Sequence, residues 1–60
     1  MATHQQHQEV AAMVFEALQN WRRGNRGAAS EGFLRAEQTA LANGLSAANL
    51  IMEVKSLMGL

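Results

Sequence analysis

The most chemically loaded stretch of this chain is Trp21-Arg22-Arg23, with Arg26 just beyond it. It holds three of the five Lys and Arg residues. Guanidinium forks and an indole together can grip carboxylates or phosphates, or stack on a flat ring. Trp and Arg are also the residues that most often carry the energy of a protein contact. The cluster therefore reads best as a partner-binding site, with Met52 added as an outward-facing apolar residue. The plainer alternative is a solvated helix end, where the Arg residues answer the negative end of the dipole and Trp21 sits in the core.

Two further groups could do chemistry. His4 and His7 are three residues apart and share a helix face if the helix reaches that far. Two imidazoles make an incomplete site, so no metal and no cofactor are expected. Removal of Met1 would leave Ala2-Thr3-His4 as a free amino terminus with His third, a square-planar donor set for Cu(II) or Ni(II); a solvated polar tail is the plainer reading. Glu37 falls inside the apolar arc of its helix. It is a paired buried carboxylate, or it marks the edge of an oligomer contact and reaches an Arg of another copy, or it simply reaches water at the stripe's edge. The hydroxyls are Thr3, Ser30, Thr39, Ser46 and Ser56, without a single Asp or Cys to accompany them. No nucleophile–base pair or phosphate-cradling loop is formed, and the chain is expected not to be an enzyme.

The elements that must position these residues are helical. No alternating apolar run suggests a strand, and Ala, Gln, Glu, Leu and Met dominate. Residues 1–8 read as a flexible polar lead-in, with Thr3 a plausible N-cap, and residues 9–60 as a single helical domain. The first helix runs from Glu9 to Arg23. Val10, Met13, Val14, Ala17, Leu18 and Trp21 lie on one arc, extended by Phe15 and Ala11. That arc is about 200° wide, well beyond the stripe of an ordinary surface helix. Such a helix touches two neighbours, one of them in another subunit, which makes Val10, Val14, Phe15, Leu18 and Glu37 the expected oligomer interface. Gly24 ends it, and Gly24-Asn25-Arg26-Gly27 forms a turn.

Ser30 reads as the N-cap of a second helix, from about Glu31 to Asn43, with Phe33, Leu34, Ala36, Ala40 and Leu41 on its buried face. Glu31 and Arg35 are spaced as a favourable ion pair. Gly44 stops this helix. Ser46 caps a third, from Ala47 to Met58, with Leu50, Ile51, Val54, Leu57 and Met58 as its core stripe.

The Ala40–Leu50 segment has the spacing of a helix-turn-helix: a small residue, Gly four positions on, an apolar residue, a polar cap, then Leu. Gly44-Leu45-Ser46-Ala47-Ala48-Asn49-Leu50, running on to Lys55-Ser56-Leu57-Met58-Gly59-Leu60, resembles the recognition helix of Fis-type DNA-binding domains over under a third of the chain. The resemblance implies a DNA-binding regulator using residues 31–58. That family's helix carries several cations aimed at phosphates and bases; here the outward positions are Asn49, Met52, Glu53 and Ser56, with Lys55 the one cation. An αα corner accounts for the same spacing, and zero net charge provides no bulk attraction to nucleic acid.

Size closes the reading. A 60-residue chain buries only about 60% of its unfolded surface, and without Cys no disulfide helps. No apolar run is long enough to cross a membrane and no signal peptide opens the chain, so a cytoplasmic location is expected. The expected fold is all-α, a small three-helix unit or a helical hairpin plus a short helix, assembled as a homo-oligomer such as a homodimer. The expected function is a non-enzymatic interaction module that self-associates and docks onto a protein partner, in the manner of a phage or bacterial accessory factor, inhibitor or assembly factor.

Overall fold

The computed structural model describes residues 3–60, and among them three α-helices account for about four fifths: α1 (His4–Arg22), α2 (Arg26–Ala42) and α3 (Ala47–Leu57). α1 packs most extensively on α2 and less on α3, while α2 and α3 barely touch. The molecule is thus a two-helix hairpin with a short third helix laid against α1. Its Cα extents are 35 × 22 × 16 Å.

Local sequence explains most boundaries. The Thr3 hydroxyl accepts from the Gln6 amide at 3.1 Å, and the Gln6 side chain accepts from the Thr3 amide at 2.8 Å. This reciprocal capping box starts α1 at His4. Residues 4–8 are therefore the first turns of α1, not a lead-in ahead of it, because the cap satisfies amides that would otherwise fray. All three helices end in the same double hydrogen bond. At the end of α2, Leu45 N–H donates to Ala40 C=O at 2.8 Å and Gly44 N–H to Leu41 C=O at 3.3 Å. Gly44 sits at φ +70°, which an L side chain rarely adopts. The Asn25–Asn20 and Gly24–Trp21 bonds repeat the pattern after α1, and the Leu60–Lys55 and Gly59–Ser56 bonds repeat it after α3.

The second helix begins five residues before the expected Glu31. Gly24 completes the reversal almost alone, so Arg26 and Gly27 are already helical and Ser30 lies inside α2 rather than capping it. Tertiary contact holds this extra turn: Ala29 is buried. The Ser46 cap behaves as expected, its hydroxyl accepting from the Asn49 amide at 3.3 Å.

The core is slight. Val10, Val14 and Leu18 of α1, Ala36 and Ala40 of α2, and Leu50 and Val54 of α3 form one buried cluster, with Phe33, Leu45, Ile51 and Met58 packed around it. α2 contributes only small buried side chains, Ala29, Ala36 and Ala40. Between them lies Gly32, where an added Cβ would stand 2.9 Å from the Cβ of Ala17. Small residues therefore bring the two long helices into close approach. That close contact orients α2, and it turns Leu34 and Leu41 outward, contrary to the expected face. Leu57 is also exposed rather than part of the α3 stripe. Ser46 starts α3 early enough that Leu50 and Val54 meet α1, and Met58 takes the remaining contact.

Val10, Val14 and Leu18 are not an oligomer interface. They are at most 4% exposed within the single chain. The wide apolar arc of α1 does meet two neighbours, but both belong to the same molecule.

Candidate docking surface

The described residues contain no buried polar side chain and no orphaned buried polar atom. The polar and charged side chains of the described residues therefore all reach the surface at least in part.

The Trp21–Arg26 cluster occupies the hairpin end. Trp21 continues the core stripe of α1, eleven residues after Val10 and seven after Val14, yet it is 52% exposed. The buried cluster stops at Leu18 on α1 and starts at Ala36 on α2, with Phe33 packed against it. Towards that end the buried side chains of the hairpin are small, Ala17 and Ala29. Arg22, Arg23 and Arg26 are exposed at the same end of the molecule. Among the described residues none of them is within ion-pair distance of a carboxylate. The Arg23 Nη2 donates to the Gln19 side chain at 3.1 Å, which holds one guanidinium along α1. The expected Glu31–Arg35 pair is not closed either, as befits two long solvated side chains.

A second apolar face lies on the outside of α2. Leu34, Glu37 and Leu41 follow one another at i, i+3 and i+7, and all three are exposed, Leu41 at 82%. Glu37 thus sits in an apolar stripe as expected, but the stripe faces solvent. The signal that could have revealed this was present in the sequence: Ala29, Gly32, Ala36 and Ala40 make a small-residue row, and such a row marks the side on which another helix comes close. Phe15, Met52, Leu57 and Leu60 are further exposed apolar side chains, Met52 at 70% as expected from its outward position.

The helix-turn-helix residues are partly brought together. Ala40 and Leu50 enter the same buried cluster and Leu45 packs against it. α3 leans on α1 rather than on α2, and its outward face carries Asn49, Met52, Glu53 and Ser56 with Lys55 alone in positive charge.

The two His residues both lie on α1. The His7 Nε2 stands 4.0 Å from the Glu53 Oε2, an exposed contact that counts as an ion pair only when the imidazole is protonated. Among the described residues no three His or Glu side chains come together as a metal site. Met1 and Ala2 of the amino-terminal Cu(II) motif lie outside the described residues. The Thr3 amide that such a site would need is engaged in the capping box.

Shallow open clefts run along the hairpin. One, between α1 and α2, is lined by Met13, Glu16, Asn20, Glu31 and Arg35 among others; another, on α1, by Phe15, Gln19 and Arg23. Neither is enclosed enough to exclude water from a reaction. No helix among the described residues is long and apolar enough to cross a membrane. No protein-family model matches the chain, and neither a curated protein nor a solved structure matches it.

Proposed function

We propose that this chain is a small non-enzymatic interaction module, which works by associating with copies of itself and docking onto another protein. One observation carries the reading. Phe15, Trp21, Leu34, Leu41, Met52, Leu57 and Leu60 are all exposed, while the core is built of Val, Ala and a few Leu. An isolated exposed Leu means little, but this many large apolar side chains on so small a surface do. The outer face of α2, Leu34-Glu37-Leu41, is the self-association surface, replacing the α1 residues that the chain uses for its own core. Trp21 and the adjoining Arg residues are the docking surface for a different protein.

Light scattering and sedimentation across a concentration series test the reading. The expected species is heavier than the 6.5 kDa chain, and L34E/L41E returns it to a monomer that stays helical. A monomer at every concentration, with unchanged mass in that variant, removes the self-association reading. A gel shift run at several salt concentrations tests the other reading of the α2–α3 corner: a complex with duplex DNA that weakens steeply with salt would favour a DNA-binding regulator.

A further inference from the structure

The hairpin end leaves one large apolar side chain of α1, Trp21, half uncovered, a seat for a further element. By helical rise, α1 is about 28 Å long and α2 about 25 Å, but α3 only about 17 Å. Along the body of the hairpin the apolar stripe of α1 is covered, and Val10, Val14 and Leu18 are buried. One turn further the same stripe arrives at Trp21, which half protrudes into water. A Trp in register with a core stripe, and bare, is a stripe whose covering element stops short.

The charge around this seat selects the occupant. Arg22, Arg23 and Arg26 lie at the same hairpin end as Trp21, exposed and outside ion-pair distance of any carboxylate among the described residues, with Arg23 held along α1 by Gln19. Arg26 also stands in the first turn of α2, at the positive end of the helix dipole, where a cation is unfavourable. Glu16 and Glu31 line the nearby clefts of the hairpin, yet neither comes within ion-pair distance of these Arg residues. A second copy is the poorer source of carboxylates: its five acidic residues, Glu9, Glu16, Glu31, Glu37 and Glu53, are spread over all three helices, and Glu16 and Glu31 share their cleft with Arg35. A duplex is a poorer fit than a protein, because phosphates would leave the apolar indole uncovered and the patch is too small to track a backbone.

We propose that the Trp21 seat binds an acidic amphipathic helix of a different protein, whose apolar face covers Trp21 and whose Glu or Asp side chains reach Arg22, Arg23 and Arg26. The inference rests on the docking reading above and names the partner's chemistry. Such a helix would cover the hairpin end in the helix-in-groove mode. Its carboxylates would form charge-assisted, forked hydrogen bonds with the guanidinium groups.

Trp21 is the chain's only Trp, and there is no Tyr, so its emission reports on the seat directly. The experiment titrates the full chain into a fluorescein-labelled synthetic amphipathic helix of Glu and Leu, at physiological salt, reading anisotropy and Trp21 emission together. A Lys/Leu helix of the same pattern, a DNA duplex and phosphatidylglycerol vesicles serve as competing probes. The expected result is saturable binding of the Glu/Leu helix with a blue shift of Trp21. The R22Q/R26Q variant, shown to be folded by circular dichroism, should bind at least about tenfold more weakly. Equal binding of the Lys/Leu helix, an unmoved Trp21 spectrum, or tighter binding of DNA or vesicles overturns the inference. Light scattering on the same samples separates the two levels: self-association that persists while the Glu/Leu helix fails to bind sinks the seat alone, and loss of both sinks the docking reading as well.

Discussion

A Cβ placed on Gly32 would stand 2.9 Å from the Cβ of Ala17 and 3.4 Å from its Cα. Neither atom belongs to a flexible side-chain tip, so the helices themselves would have to move apart. Helix propensity favours Ala over Gly by about 1 kcal/mol, but overpacking of this kind costs about 1–3 kcal/mol. G32A is therefore expected to be less stable than the parent in urea or thermal unfolding. Gly27 is the matched control. It lies in the same helix, has an ordinary φ and finds open space around its missing Cβ. G27A should raise stability by up to about 1 kcal/mol, somewhat less because it lies in the first turn. A stabilised G32A would show that α1 and α2 are not in close contact there. The same scale explains Trp21. Its spacing makes it a core residue, and its half exposure follows from what fails to cover it, not from anything in its own neighbourhood of sequence.

Helix ends were the most legible elements. Thr3, Ser46, Gly24 and Gly44 all terminate helices as their side chains or backbone freedom dictate. Capping is local chemistry, settled within four residues. Gly44 makes the sharpest test, since φ +70° in an open site isolates conformation from crowding. G44A should cost about 1–2 kcal/mol, seen as a lower melting temperature with helix content retained at low temperature. An unchanged melt would mean that the α2–α3 turn is not held in this conformation. The start of α2 was not legible. Ser30 with Glu31 is a good capping pattern, and Asn25 as the actual cap makes no side-chain bond to the helix amides. The extra turn exists because Ala29 finds a place against the rest of the fold, and a cap can be overridden by burial of that kind.

At the scale of the molecule, the accessible surface is 4265 Å², about a tenth above the roughly 3,800 Å² that a compact 6.5 kDa chain shows by size scaling. A flat arrangement only 16 Å thick in its Cα atoms cannot surround many large side chains, which is why Leu34, Leu41 and Leu57 remain outside. Truncations should therefore divide into two classes. L50A removes a core side chain and is expected to cost about 2–5 kcal/mol, enough to unfold so small a domain at room temperature. L41A and L57A, at residues more than four-fifths exposed, should leave monomer stability within about 0.5 kcal/mol. L41A should instead weaken the dependence of melting temperature on protein concentration. Parallel unfolding curves at several concentrations check both, and an L41A chain with intact concentration dependence would move the contact off α2. A partner interface of standard size takes about 800 Å² per side, about a fifth of this surface. One chain thus has room for a self-contact and a separate docking face.

From the sequence alone came the all-helical class, three helices, the caps of α1 and α3, the wide apolar arc of α1 and the closeness of Arg22, Arg23 and Arg26 to Trp21 along the chain. These follow from periodicity and from chemistry within a few residues. Which apolar side chains are buried was decided by tertiary structure. The small-residue approach of α2 to α1 fixed the rotation of α2, and that rotation turned Leu34 and Leu41 to water. Val10, Val14 and Leu18 became core because α2 and α3 supply both neighbours that α1 requires. Rotation about a helix axis depends on how two surfaces interlock, a property of neither helix by itself.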